Sequence, residues 1–198
     1  MSVTNAARRA QIVAAAIDTL AEFGYTGTSF AKIATRAGIS STRLISYHFD
    51  GKNDLMLAVV DHIVLSAEQY MSPRIEAAGP GRWPQLSAYI TANLNYHRDR
   101  PEHMRALIEI FNNVRTTAGD PLQIPQHQAS TLERLKVELR AGQAAGEFTA
   151  FDPLVMAVTL RAAIDAAGIR YATGALTSPD AYAAELVDLF RRAIVAAT

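Results

Sequence analysis

The chain has 198 residues, no cysteine, and 19 basic against 19 acidic side chains. A hydrophobic fraction of 49% with 19% charged residues excludes a disordered chain and is enough for a substantial core. The missing cysteines exclude a disulfide framework and any thiolate metal site. They fit a reducing compartment. No run approaches the ~18 apolar residues of a membrane span. The polar start lacks a signal-peptide pattern, so a cytoplasmic protein with no membrane partner is expected. Zero net charge argues, at first sight, against nucleic acid as partner. Its distribution argues the other way. Residues 1–52 hold six basic side chains (Arg8, Arg9, Lys32, Arg36, Arg43 and Lys52) and three acidic ones, a net +3 that leaves −3 on residues 53–198. A basic quarter on an acidic body points to an anionic partner.

Helical periodicity runs through the chain. Ile12, Ala16, Leu20 and Phe23 form one face of a first helix that Gly24 ends. Phe30, Ile33, Ala34 and Ala37 mark a short second helix, capped by Thr28 or Ser29. Gly38-Ile39-Ser40 turns into a third short helix, about 41–48. Gly51 and Asp54 open a long fourth helix to about residue 77. Further helices read as about 83–98, 101–116, 126–145, 153–173 and 179–197. The last two begin at Asp152-Pro153 and Ser178-Pro179, where a capping residue precedes a first-turn proline. No segment alternates as a strand does. The expected fold is all-α with about nine helices: a three-helix head over 1–51 and a helical body over 52–198.

Two short helices joined by a glycine-bearing turn outline a helix-turn-helix. Its second helix lies in the DNA major groove and presents side chains to base edges. Here that helix offers Ser41, Thr42, Arg43 and Ser46, with Tyr47 and His48 at its end. Thr42, Arg43 and Ser46 share a face. Arginine donates bidentately to guanine, and Ser or Thr bonds bases or phosphates. An ordinary helical hairpin with a polar outer face has the same spacing.

The ordered set Phe23-Gly24-Tyr25, Thr28-Ser29, Ile33-Ala34, Ala37-Gly38-Ile39-Ser40, Ile45-Ser46-Tyr47-His48-Phe49 and Gly51-Lys52-Asn53-Asp54-Leu55 resembles the DNA-binding module of tetracycline-repressor-like (TetR) regulators. The resemblance covers roughly residues 8–57, and the remainder matches in character only. It implies that Thr28 or Ser29, Tyr47, His48 and Lys52 touch the DNA backbone. Ser41, Thr42, Arg43 and Ser46 then lie at the reading surface, with Thr42, Arg43 and Ser46 toward the bases. Lys52→Ala would weaken binding to every sequence and lower the salt slope by about one. Between Ala37 and Phe49 the chain is one residue longer than the usual family spacing. The helix cap therefore stays open between Ser40 and Ser41, and the reading face is open to a rotation of about 100°.

In the body, Val155, Val158 and Ala162 lie on a helix that is apolar nearly all round. Leu186, Val187, Phe190 and Ile194 form one face of the last helix. Burial within one chain would account for both. The resemblance implies instead a four-helix interface of a homodimer, its heads on half-sites about 34–36 Å apart, or a multiple, in a palindromic double-stranded operator. Catalytic motifs are missing, and His62, His97, His103 and His127 are scattered. No enzyme, cofactor or metal is therefore expected. Tyr89, Asn93 and His97, with Phe111, Asn112 and Arg115 and with Arg161 and Asp165, mix apolar and polar groups as a small-molecule pocket does. Satisfied polar groups at a core edge would read the same. The resemblance implies a homodimeric repressor released from its operator by a small-molecule effector, with the long fourth helix as lever. A ligand-independent helical DNA-binding or scaffold protein, or a helical enzyme, are the competing readings.

Overall fold

The computed structural model describes residues 3–115, 125–176 and 178–195. Among them the chain forms α1 (Val3–Gly27), α2 (Phe30–Arg36), α3 (Arg43–His48), α4 (Lys52–Glu76), α5 (Arg82–Asp99), α6 (Pro101–Asn113), α7 (Pro125–Ala144), α8 (Pro153–Ala172) and α9 (Pro179–Ile194). The described residues contain no strand, only an isolated antiparallel bridge between Phe148 and Val195. No described helix is long and apolar enough to cross a membrane. The helix ends expected at residues 116 and 197 lie outside the described residues, as does the side chain of His127.

Local chemistry sets the helix ends. The buried face of α1 is Ile12, Val13, Ala16, Ile17 and Leu20. Gly24 takes φ 68° and ψ 176°, outside the helical region, so the expected end is a sharp kink followed by one more turn. Ser29 caps α2, its Oγ accepting from the Lys32 amide at 3.3 Å. Asp152 Oδ1 accepts from Leu154 N at 2.7 Å and Val155 N at 3.1 Å, with Pro153 in the first turn of α8. Ser178, expected to cap α9, makes no side-chain cap bond.

The chain divides into two compact units. Residues 1–66 with 102–123 form a head unit, and residues 67–101 with 124–198 form a second unit. The boundary expected after residue 51 does not match this division. Three short helices around residues 8–51 expose too much of their own apolar surface to close a core. The first half of α4, with Leu55, Met56, Val59, Val60 and Ile63 buried, belongs to the head unit, and so does nearly all of α6.

The second unit builds its core from Leu86, Ile90 and Leu94 of α5, Leu135 and Leu139 of α7, Leu160 and Ile164 of α8, and Leu186, Phe190 and Ile194 of α9. The assignment of Leu186, Phe190 and Ile194 to a dimer interface is therefore corrected: all three are buried in the chain's own core, with Val187 partly buried against it. An amphipathic helix has one apolar face, and α9 spends that face on its own unit. What stays exposed is Leu154, Val155, Val158 and Ile169 on α8 and Leu189 on α9.

Phe148 completes this core by lying on Gly142 of α7. A Cβ at residue 142 would fall 2.1 Å from Phe148 Cδ2. Alanine in place of a helix-interior glycine ordinarily stabilises by about 1 kcal/mol. Here Gly142→Ala is expected to destabilise by about 1–3 kcal/mol through overpacking, read from the urea midpoint of the full chain.

Candidate functional site

The head unit presents α3 through a short chain of caps. Gly38, at φ 63°, turns the chain out of α2. Thr42 then stands at the N-cap of α3 with no side-chain cap bond, so the cap falls on neither Ser40 nor Ser41. Ser41 supports the turn before it, its Oγ accepting from Arg43 N at 3.1 Å and its carbonyl from Leu44 N at 3.2 Å. Ile45 and Phe49 are buried beneath α3, while Ser41, Thr42, Arg43, Ser46 and Tyr47 are exposed. Tyr47 stands 74% exposed, its ring 5.2 Å from that of the half-buried His48.

Most cations of the head are already engaged. Arg8 donates to Gln11 at 2.7 Å, and Arg9 lies 4.7 Å over the Phe49 ring. Lys32 donates to the Gly27 carbonyl at 2.8 Å and sits 4.1 Å over Phe23, whereas Arg36 pairs with Glu22. Lys52 Nζ donates to Tyr25 O at 2.7 Å and Thr28 O at 2.9 Å, and lies 3.9 Å over the Tyr25 ring. Burial pushes its pKa below the ordinary lysine value. Among the described residues, the guanidinium of Arg43 alone of these six basic groups has no internal partner.

Two backbone-contact assignments change accordingly. Thr28 is only 4% exposed and its hydroxyl donates to Gly24 O at 2.7 Å, so it faces inward. Ser29 is the exposed member of that pair. Lys52 spends two of its three N–H groups on the corner between α1 and α2. Sequence reasoning missed Glu109 of α6, whose Oε2 accepts from the Tyr25 amide at 2.7 Å. A glutamate 84 residues from its partner leaves no mark in local spacing.

The residues expected at a ligand pocket separate into two groups. Half-buried Phe111 and exposed Asn112 and Arg115 belong to the head unit. In the second unit, Arg161 donates from Nη1 to the Tyr89 hydroxyl at 2.9 Å and to Asn93 Oδ1 at 3.1 Å, and from Nη2 to Asp165 at 2.6 Å. Burial opposes the charge of Arg161, but Tyr89 and Asp165 outweigh it and hold the pKa above the ordinary value. Beside them His97 is buried, with no hydrogen-bond partner at Nε2. Of the eight expected residues only Tyr89 lines the cavity that this unit holds. It measures about 550 Å³, with Ile75, Leu86, Leu135, Leu139 and Phe148 as apolar walls and Glu76, Arg82, Arg134 and Glu138 around them. That size lies within the range of small-molecule sites. The two units contain no group of three or more His, Asp or Glu arranged for a metal among the described residues.

Residues 12–59 match the sequence model of bacterial regulatory proteins, tetR family. The HTH-type transcriptional regulator BetI of Paraburkholderia xenovorans (strain LB400) is 35% identical over 88 residues, which are 44% of this chain and 45% of that protein. The HTH-type transcriptional regulator RutR of Escherichia coli O157:H7 is 26% identical over 199 residues, covering 96% of this chain and 89% of RutR. The chain therefore spans less than half of BetI and most of RutR. Residues 12–59 thus carry the tetR-family sequence pattern, and over most of its length the chain is similar to RutR. A transcriptional regulator from Saccharomonospora viridis, crystallised in complex with choline, shares the fold with a TM-score of 0.77 and 21% identity over 97% of this chain and 100% of that one.

His97 gives the chain an acid-sensitive second unit. Burial first, and then the charge of Arg161, push its pKa from 6.5 down to about 4, against a smaller opposing effect of Asp165. The folded state favours the neutral ring, so the unfolded chain binds the proton more tightly below pH 6.5. Stability is full above that pH and declines as pH falls toward 4. At pH 4.5 His97 accounts for a loss of about 2–3 kcal/mol relative to pH 7. Urea unfolding at both pH values should show His97→Leu losing correspondingly less than the wild type.

Proposed function

We propose that the chain is a cytoplasmic homodimeric repressor that binds a palindromic operator through α3 and leaves it when a small molecule occupies the cavity of the second unit. The observation that carries the DNA reading is Arg43. Five of the six basic side chains of residues 1–52 are tied down inside the head, and the remaining one stands on the exposed face of α3 beside Thr42, Ser46 and Tyr47. A cation left free next to hydroxyls and an exposed phenol suits base edges and phosphates together. Lys52 keeps one donor for a phosphate, and Ser29 and His48 flank the same corner.

The dimer rests on α8. Val155 is 63% exposed, Val158 46% and Ile169 48%, with Ala162 exposed between them at helical spacing. A stripe of this kind on one helix face is costly to leave in water and marks an interface. Leu189, 57% exposed, supplies the contribution of α9 in place of the buried Leu186, Phe190 and Ile194. The S. viridis relative holds choline, which supports small-molecule control in this fold. Here the apolar walls around Leu86, Leu139 and Phe148 favour an effector with an apolar body. Its action follows from differential affinity for the DNA-competent and released conformations. The helix α4, which belongs to the head unit up to Ser66 and to the second unit beyond it, is the lever.

Selection from a randomised duplex pool tests the DNA reading. The wild type should recover two inverted half-sites at fixed spacing. Arg43→Ala should lose about 1–3 kcal/mol of affinity for that duplex and relax the choice of base at one position of each half-site. Recovery of no sequence, or an unchanged preference in Arg43→Ala, would refute it. For the dimer, Val155→Glu combined with Val158→Glu should sediment as a folded monomer, whereas the wild type sediments as a dimer.

A further inference from the structure

The corner between α1 and α2 is held from two sides by opposite charges. Tyr25 is the first residue after the kink at Gly24. Its amide donates to Glu109 Oε2 of α6 at 2.7 Å, and its carbonyl accepts from Lys52 Nζ of α4 at 2.7 Å. Both polar groups of one backbone residue thus end on charged side chains of two other helices. Charge-assisted bonds of this sort are the stronger class. The approach of Glu109 depends on glycine: a Cβ at residue 24 would lie 3.1 Å from Glu109 Oε2, and φ there is +68°. Three residues on, Thr28 closes the corner with its hydroxyl on Gly24 O, and Ser29 starts α2.

We propose that Glu109 is a positioning residue of the reading head: its carboxylate on the Tyr25 amide ties α6 to the start of α2, so that the place of α2 and α3 follows the place of α6. The inference rests on the dimeric DNA-binding reading and assigns to α6 a direct hold on the head in addition to that of α4. The neighbouring clamp explains why one bond has leverage. With Lys52 fixing the carbonyl, the peptide planes before and after the Tyr25 Cα are each held by a charged bond, and loss of Glu109 frees the first of them. Beyond Tyr25 only three residues separate the anchor from the Ser29 cap. The buried Ile33 and Ala34 of α2 and Ile45 of α3 then transmit the position by packing.

The test uses the full chain as wild type, Glu109→Ala and Glu109→Gln. Amide hydrogen exchange at Tyr25 is read in the free protein. Affinity is then read for the duplex that the wild type selects from a randomised pool, and for the same duplex with two base pairs inserted between its half-sites. Loss of one charged bond should raise exchange at Tyr25 about tenfold and lower affinity for the selected duplex about tenfold in Glu109→Ala. Affinity for the lengthened duplex should fall less, so the preference for spacing narrows. Glu109→Gln, which keeps a neutral oxygen acceptor, should lie between. Unchanged Tyr25 exchange overturns the proposal, and so does an equal loss of affinity at both spacings, which would mark Glu109 as a general stabiliser. If the wild type selects no duplex, the repressor reading fails, and the exchange at Tyr25 still decides whether Glu109 anchors the corner.

Discussion

Opposite charges on the amide and the carbonyl of Tyr25 hold the head in shape. Gly24 bends α1 out of helical geometry, which turns the Tyr25 amide away from its own helix. An N–H so exposed in a half-buried place needs an acceptor, and Glu109 provides it. The same bend leaves the carbonyls at 25 and 28 without helical partners, and the ammonium of Lys52 takes both. Everything that follows in the α2–α3 segment is short: one cap at Ser29, seven residues of α2, a glycine turn, the Ser41 hydroxyl on the Arg43 amide, and six residues of α3. Helices that short have little stability of their own, so their orientation is borrowed from this corner and from the α4 and α6 side chains that fix it.

The charge balance acquires a different meaning in this light. The +3 of residues 1–52 is not a patch spread over a DNA-facing surface. Arg9, Lys32 and Lys52 lie over aromatic rings, Arg36 is neutralised by Glu22, and Arg8 is bonded to Gln11. Basic residues here also hold helices together: Lys32 and Arg36 are exposed but engaged, and Arg43 is the exposed one among the six without an internal partner. With few phosphate contacts per head, non-specific attraction is weak and depends only shallowly on salt. In the proposed dimer, useful affinity depends on doubling the head by symmetry, and on keeping the two heads in register. A protein whose binding rests on register more than on charge is one in which small displacements of the head matter.

Much of the fold was legible because helix boundaries are written locally. Gly24, Gly38, Asp152-Pro153 and the apolar periodicity of α1, α5 and α8 carry their own physical reasons, and the structure puts helix ends within a few residues of where they point. The exposed face of α3, with Thr42, Arg43 and Ser46, was legible for the same cause. What was not legible depends on partners distant in sequence. Periodicity says that Leu186, Phe190 and Ile194 are covered, but not by which chain. Either of two adjacent hydroxyls could have started α2; Thr28 turned inward to the Gly24 carbonyl and Ser29 kept the cap. Tyr89, Asn93, Arg161 and Asp165 were expected at a ligand pocket, yet they bond to one another, and of the four only Tyr89 lines the cavity. Residue type shows that a polar group is costly to bury, and only the fold shows what satisfies it.

Tyr89 joins these two features of the second unit. Its ring forms part of the cavity wall with Leu86 and Phe148, while its hydroxyl accepts from Arg161. The guanidinium also grips Asp165, and both residues sit on α8, one turn from the exposed Val158 and Ile169. An occupant that displaces the Tyr89 ring must therefore either break its bond to Arg161 or carry α8 with it. The first leaves a nearly buried guanidinium short of an acceptor, which is unfavourable. The second moves the apolar stripe through which the dimer is proposed to form. In the proposed dimer that stripe sets the distance between the two heads, so an occupant of the cavity would act on DNA affinity without touching any residue of α3.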